Sequence, residues 1–162
     1  MDGNKRWAEN KKLPIKDAYS VGIDNVLRIS EKLIEKDIKY LSVYALSTEN
    51  LKRKSVNMLF NSIFDKFYQF LNKLINEKSI KIKVIGERNN LPIKLKKIIN
   101  EAEQKTINNK KLTLILAFNY GFKSELISVF KKLYKTIKPV NDKKIDNIKI
   151  DNLFYLNNIP DP

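Results

Sequence analysis

The chain has 162 residues with neither cysteine nor histidine, which excludes disulfides, thiolate or imidazole metal sites, cysteine nucleophiles and any Ser-His-Asp triad. Its 32 Lys and Arg against 18 Asp and Glu leave a formal charge of +14, almost all of the excess being Lys scattered through every segment, so a diffuse solvated surface is expected ahead of a dedicated nucleic-acid groove. That length suits one domain over residues 1–162. With no stretch near the ~20 apolar residues of a spanning helix and a polar start after Met1, a cytoplasmic protein is expected.

The first stretch, Met1-Asp2-Gly3-Asn4-Lys5-Arg6-Trp7-Ala8, sets an acid, a flexible Gly-Asn turn and two cations side by side. Gly3 accepts φ > 0 and Asn4 tolerates it, so the backbone can fold tightly and turn N–H groups toward an anion while Lys5 and Arg6 supply charge. A diphosphate fits such a place, and Asp2 beside it would be the partner of a hard cation such as Mg²⁺. An ordered N-terminal turn with a solvated acid is the plainer reading of the same residues. The four arginines are informative where Lys is the default cation. Arg6, Arg53 and Arg88 fall in or beside predicted loops, where a planar fork suits phosphate, and Arg28 falls inside a helix.

Lys11 to Asp17, with Pro14, reads as a loop. Ile23, Val26, Leu27, Ile29, Leu33 and Ile34 then mark a helix ending near Asp37. Ile38 to Leu46 is β-branched and aromatic, a buried strand that runs into the polar loop Ser47 to Arg53. Val56, Leu59, Phe60, Ile63, Phe64, Phe67, Phe70, Leu71, Leu74 and Ile75 predict a long helix with a phenylalanine-rich face, whose plain reading is ordinary core. Ile80 to Ile85 is a second strand ending at Gly86-Glu87-Arg88. A helix from about Pro92 carries Leu95, Ile98, Ile99 and Ala102. Leu112 to Phe118 is the third strand, ending at a loop Asn119-Tyr120-Gly121, and Leu126, Ile127, Val129, Phe130, Leu133 and Tyr134 make the next helix. Ile145 to Leu156 could hold a short helix before an exposed turn from Asn157 to Pro162.

Strands alternating with helices imply an α/β fold, a mostly parallel sheet wrapped by helices. Ligands of such sheets bind beyond the carboxyl ends of the strands, where the loops after Ser47, Gly86 and Asn119 would meet.

On these motifs the sequence resembles the cis-prenyltransferase family, whose bacterial members are undecaprenyl diphosphate synthases. Met1-Asp2-Gly3-Asn4 with Arg6-Trp7-Ala8 resembles the family's first motif, Tyr44-Ala45 with Ser47-Thr48-Glu49-Asn50 and Arg53 its second, and Asn119-Tyr120-Gly121 its third. The resemblance implies condensation of isopentenyl diphosphate with an allylic diphosphate such as farnesyl diphosphate, under Mg²⁺, to a cis-polyprenyl diphosphate. It implies Asp2 as the acid engaging metal and diphosphate, with Asn50 and Ser47 near the reacting carbons. Gly3, Asn4, Lys5, Arg6, Trp7, Thr48, Glu49, Leu51 and Arg53, with Ile15 and Tyr19, would be the substrate-binding positions. A homodimer and peripheral membrane contact through the product are further implications.

The sequence also departs from the pattern. Lys5 stands where a second glycine is usual, Ile15 and Tyr19 where an arginine and a histidine are usual, Leu51 at a common tryptophan position, and Phe122-Lys123 in place of Gly-Arg; Lys16 could replace the lost cation. The family's strand before the first motif and its arginine-rich segment after Pro160-Asp161-Pro162 are expected to be missing. A non-catalytic relative or partner subunit is therefore the alternative expectation, and a basic nucleic-acid-binding module ranks last.

Overall fold

The computed structural model describes residues 3–47, 60–89, 91–136, 150–157 and 159. Among the described residues three parallel strands form the sheet: β1 (Tyr40–Ser47), β2 (Ile80–Ile85) and β3 (Leu112–Tyr120), in the order β1-β3-β2. The last strand in sequence is therefore the central one, which explains why β3 is buried along almost its whole length. Around the sheet lie α1 (Asn4–Lys11), α2 (Ile15–Glu35), α3 (Phe60–Ile75), α4 (Ile93–Lys105) and α5 (Phe122–Thr136), with a 3₁₀ turn at Ile150–Leu153.

One face of the sheet carries the core. Leu112, Leu114, Leu116 and Phe118 of β3 alternate onto it, as do Ile80, Ile82 and Val84 of β2. They meet Val26 of α2, Phe64, Phe67, Phe70, Leu71 and Leu74 of α3, and Leu95, Ile98, Ile99 and Ala102 of α4. The Phe67 ring stacks on Phe118 with centroids 4.1 Å apart and Phe64 tilts against the same ring at 5.9 Å, so these phenylalanines are core packing. The side chains of Phe60 and Ile63, with Val56 and Leu59, lie outside the described residues.

The amides of β2 are met by side chains of α4 and of Thr106, which ends it. Ile82 N–H donates to Thr106 Oγ1 at 3.0 Å and Val84 N–H to Glu103 Oε1 at 2.8 Å, which occupies amides that an edge strand otherwise leaves open to other chains.

Several expectations need correction. The predicted loop from Lys11 to Asp17 is far shorter: α1 runs to Lys11, Lys12 reverses the chain at φ 55°, and α2 already begins at Ile15 behind Pro14. Proline's fixed φ and missing N–H suit it to the residue at which a helix starts. Asn119 and Tyr120 are not a loop but the last two residues of β3. The apolar residues of α5 are mostly outward: Val129 is buried, whereas Phe122, Ile127, Phe130 and Tyr134 are exposed. Of the region from Ile145 to Leu156, helical structure is described at Ile150–Leu153.

Candidate functional site

The first motif is built on a helix rather than a flexible turn. Gly3 alone is left-handed, at φ 82° and ψ −2°, and Asn4 is the first residue of α1. The first helical hydrogen bond runs from Trp7 N–H to Gly3 O at 2.9 Å, so the amides of Asn4 and Lys5 lie ahead of that ladder. Among the described residues no side-chain cap is seen at this end, and the first turn of the helix has no acid. A Cβ built on Gly3 would lie 3.9 Å from the Arg6 guanidinium, which is ordinary contact; it is the positive φ, not crowding, that selects glycine here. The Arg6 head thus folds back beside Gly3, giving a helix N-terminus with a cation next to it, which favours anions. Trp7 is exposed, Asn4 is half-buried, and the Lys5 side chain lies outside the described residues.

Helix α1 packs on α2, the helix that carries Ile15 and Tyr19. Both are half-buried. Tyr19 packs against the core cluster, and burial raises its phenol above the ordinary tyrosine value.

The sheet joins the second and third motifs. Ser47 ends β1 with Tyr120 as its register partner, and the pairing slips at Ala45 and Asn119, so both strands are irregular at their carboxyl ends. Such irregularities re-aim the residues that follow. Asn119 is held at φ 51°. Its carbonyl accepts Glu87 N–H at 3.0 Å and its Nδ2 donates to Glu87 O at 2.7 Å. The facing Gly86 sits at φ 127°, where a Cβ would lie 2.1 Å from Phe118 O, so only glycine lets the two strand ends close. The predicted gathering of strand ends thus holds for Ser47, Gly86-Glu87 and Asn119-Tyr120. Asp2, Thr48, Glu49, Asn50, Leu51 and Arg53, and the side chains of Lys16 and Ser47, lie outside the described residues.

Arg88 is not the phosphate ligand its loop position suggested. Its guanidinium donates to Val84 O at 2.7 Å, to Glu103 at 2.8 Å and to Asn100 at 3.1 Å, and so is committed to fastening β2 to α4. Arg28, as expected, is a surface group, reaching Asn25 on its own helix. Among the described residues no group of three or more acidic side chains could hold a cation.

Sequence reasoning missed Glu125. It is buried in the first turn of α5, where it binds both Tyr120 and the backbone of Tyr155, and only its place four residues after Gly121 hinted at a link to the third motif. Among the described residues a cavity of about 300 Å³ opens between α3 and α4 and one of about 240 Å³ beneath the start of β2; neither is lined by a motif residue.

Comparison with known proteins accounts for this arrangement. A family model described as "Putative undecaprenyl diphosphate synthase" matches residues 1–162. The chain is 37% identical to a ditrans,polycis-undecaprenyl-diphosphate synthase ((2E,6E)-farnesyl-diphosphate specific) of Micrococcus luteus, and 35% identical to an isoprenyl transferase of Heliobacterium mobile. Each match takes in 100% of the chain but only 66% and 64% of the relative, so the chain spans about two thirds of their length. Among solved structures it superposes on lavandulyl diphosphate synthase from Lavandula x intermedia, in complex with dimethylallyl diphosphate, with a TM-score of 0.87 at 24% identity, over 97% of this chain and 69% of that one. A probable undecaprenyl diphosphate synthase from Campylobacter jejuni gives 0.68 at 25% identity over 83% and 64%. By its fold and by the match along its whole length, the chain belongs to the undecaprenyl diphosphate synthase family of prenyltransferases.

Proposed function

We propose that the protein is an isoprenyl transferase that condenses isopentenyl diphosphate with an allylic diphosphate, farnesyl diphosphate being the expected one, to a cis-polyprenyl diphosphate. The observation that carries the reading is the start of α1, with Gly3 left-handed, the Asn4 and Lys5 amides ahead of the helical ladder and Arg6 folded beside it, in a chain of this family. The amides of Asn4 and Lys5 would bind diphosphate oxygens, and Arg6, with Arg53, would hold the leaving diphosphate as negative charge grows on it. A fixed clamp of donors and cations stabilises that charge without reorganising during the reaction. Mg²⁺, engaged through Asp2, would neutralise diphosphate charge when bound. Ser47 would lie near the reacting carbons, with Asn50 orienting the isopentenyl group or taking up its proton.

A non-catalytic partner subunit is the second reading, favoured by Tyr19: its half-buried ring packs against the core, where the resemblance leads one to expect a histidine.

Calorimetric titration of farnesyl diphosphate with Mg²⁺, alongside incorporation of labelled isopentenyl diphosphate, tests the proposal. Asp2→Ala should lower turnover at least about a hundredfold with the fold intact. Gly3→Ala should weaken binding by straining the left-handed residue, by about 1 kcal/mol or more. Near-normal turnover in Asp2→Ala refutes the assigned role. Diphosphate binding without any turnover in the unmodified chain supports the partner-subunit reading.

A further inference from the structure

Glu125 is the only carboxylate residue in the buried class among the described residues, at 7% exposure. Both of its oxygens are used. Oε2 accepts the Tyr120 hydroxyl at 2.6 Å and Oε1 accepts the Tyr155 backbone N–H at 2.6 Å. Short hydrogen bonds to an ionised acceptor are among the stronger ones, and the first turn of a helix favours a negative charge. The Tyr120 ring lies edge-on to both Tyr44, at 5.5 Å, and Tyr155, at 6.4 Å. One carboxylate therefore ties together α5, the carboxyl end of β3 and the 150–157 segment. Lys132, two turns further along α5, grips the same segment by donating to Leu153 O at 3.1 Å and by standing over the Tyr155 ring, 5.8 Å from its centroid.

We infer that Glu125 is a positioning residue for the substrate site proposed above, acting through Tyr120 on the paired Ser47–Tyr120 end of the sheet, the end at which that reading puts the reacting carbons. The inference rests on that reading of the site. In the fold, Tyr120 is the register partner of the last residue of β1, so the orientation of one strand end is transmitted directly to the other. With the carboxylate present, β3, α5 and the 150–157 segment are a single piece; without it, the Tyr120 hydroxyl and the Tyr155 amide lose a shared acceptor, and the strand end is free to turn.

Three variants of the full chain separate positioning from simple support, each read by farnesyl diphosphate affinity with Mg²⁺ and by amide exchange at Tyr155. Glu125→Gln should weaken binding about fivefold or more and speed Tyr155 exchange about tenfold, since a charged hydrogen bond in a buried site is lost. Tyr120→Phe, nearly isosteric, should weaken binding to a similar extent while leaving the Tyr155 amide protected. Lys132→Ala should loosen the segment but leave affinity within about twofold, because it removes an exposed contact. Unchanged affinity in Tyr120→Phe, or an equal loss in Lys132→Ala, overturns the inference, and the Tyr120→Phe arm decides even if Glu125→Gln does not fold. If the unmodified chain binds no farnesyl diphosphate, the site reading itself fails and the inference falls with it; losses confined to the variants bear on the inference alone.

Discussion

The two faces of the sheet are built on different principles. Toward α2, α3 and α4 the strands present an apolar layer that closes on three helices, with Leu71, Leu74, Ile99, Ala102 and Leu114 fully buried. On the other face the buried set shrinks to Ile85, Ile115 and Ala117, roofed by Tyr120, Tyr155, Leu156 and Ile159. On that face Lys81 and Lys83 are half-buried, Ser42 and Tyr44 are exposed, and burial lowers the Lys83 ammonium below its ordinary value, with Lys81 adding repulsion. The first face gains stability from area removed from water, whereas the second depends on directed polar contacts such as those of Glu125. An apolar layer tolerates loss by partial collapse. A polar latch, once one partner is removed, leaves the others unpaired.

Removing an aromatic anchor from the dense face should give the largest effect. Phe118→Ala, which deletes the ring stacked between Phe67 and Phe64, should cost about 3–5 kcal/mol in denaturant unfolding. A loss below about 1 kcal/mol would mean that this layer is not the core.

Adjacent residues of β3 make the comparison directly, because they point to opposite faces. Leu114→Ala should fall toward the upper part of the about 2–5 kcal/mol range for such truncations, and Ile115→Ala toward its lower end, since the thinner layer can settle into the space. Equal losses in urea titrations would erase the distinction between the faces.

Gly86 sits at the seam where β2 and β3 end. Gly86→Ala should cost about 1–3 kcal/mol from backbone strain, and more if the Phe118 carbonyl cannot retreat, with the Glu87–Asn119 pair broken. Amide exchange at Glu87 that stays as slow as in the unmodified chain would contradict the close approach.

The smallest effect is a pH slope. Burial, and then the hydrogen bond to Glu125, push the Tyr120 phenol well above the ordinary tyrosine value, and burial raises Tyr155 as well. The neutral phenol is the form the fold favours, so its contribution is full below about pH 10. Above that, tyrosine of the unfolded chain ionises while the folded one resists, and stability declines as pH rises. Tyr120→Phe should flatten part of the decline above about pH 10 in thermal scans. An unchanged slope would place the titrating group elsewhere.

Local patterns determined much of this molecule. The spacing of Leu95, Ile98, Ile99 and Ala102 specified a helix and its buried side, and the alternation in Ile80 to Ile85 specified a strand, because each element meets the core on one face and the chemistry of neighbours three, four or two positions apart records it. The first and third motifs were legible as types of residue in order, which sufficed for the family. Tertiary structure alone decided how those residues are used. The same helical spacing in α5 did not foretell that Ile127, Phe130 and Tyr134 face outward, since a pattern says which side is apolar and not what covers it. Arg88 was drawn from a phosphate role into a structural one by Glu103, 15 residues away; Asn119 is matched to Glu87 across 32 residues, and Glu125 to Tyr155 across 30. Hydrogen bonds of that range depend on where a parallel sheet brings distant strand ends together, and no window along the chain contains both partners.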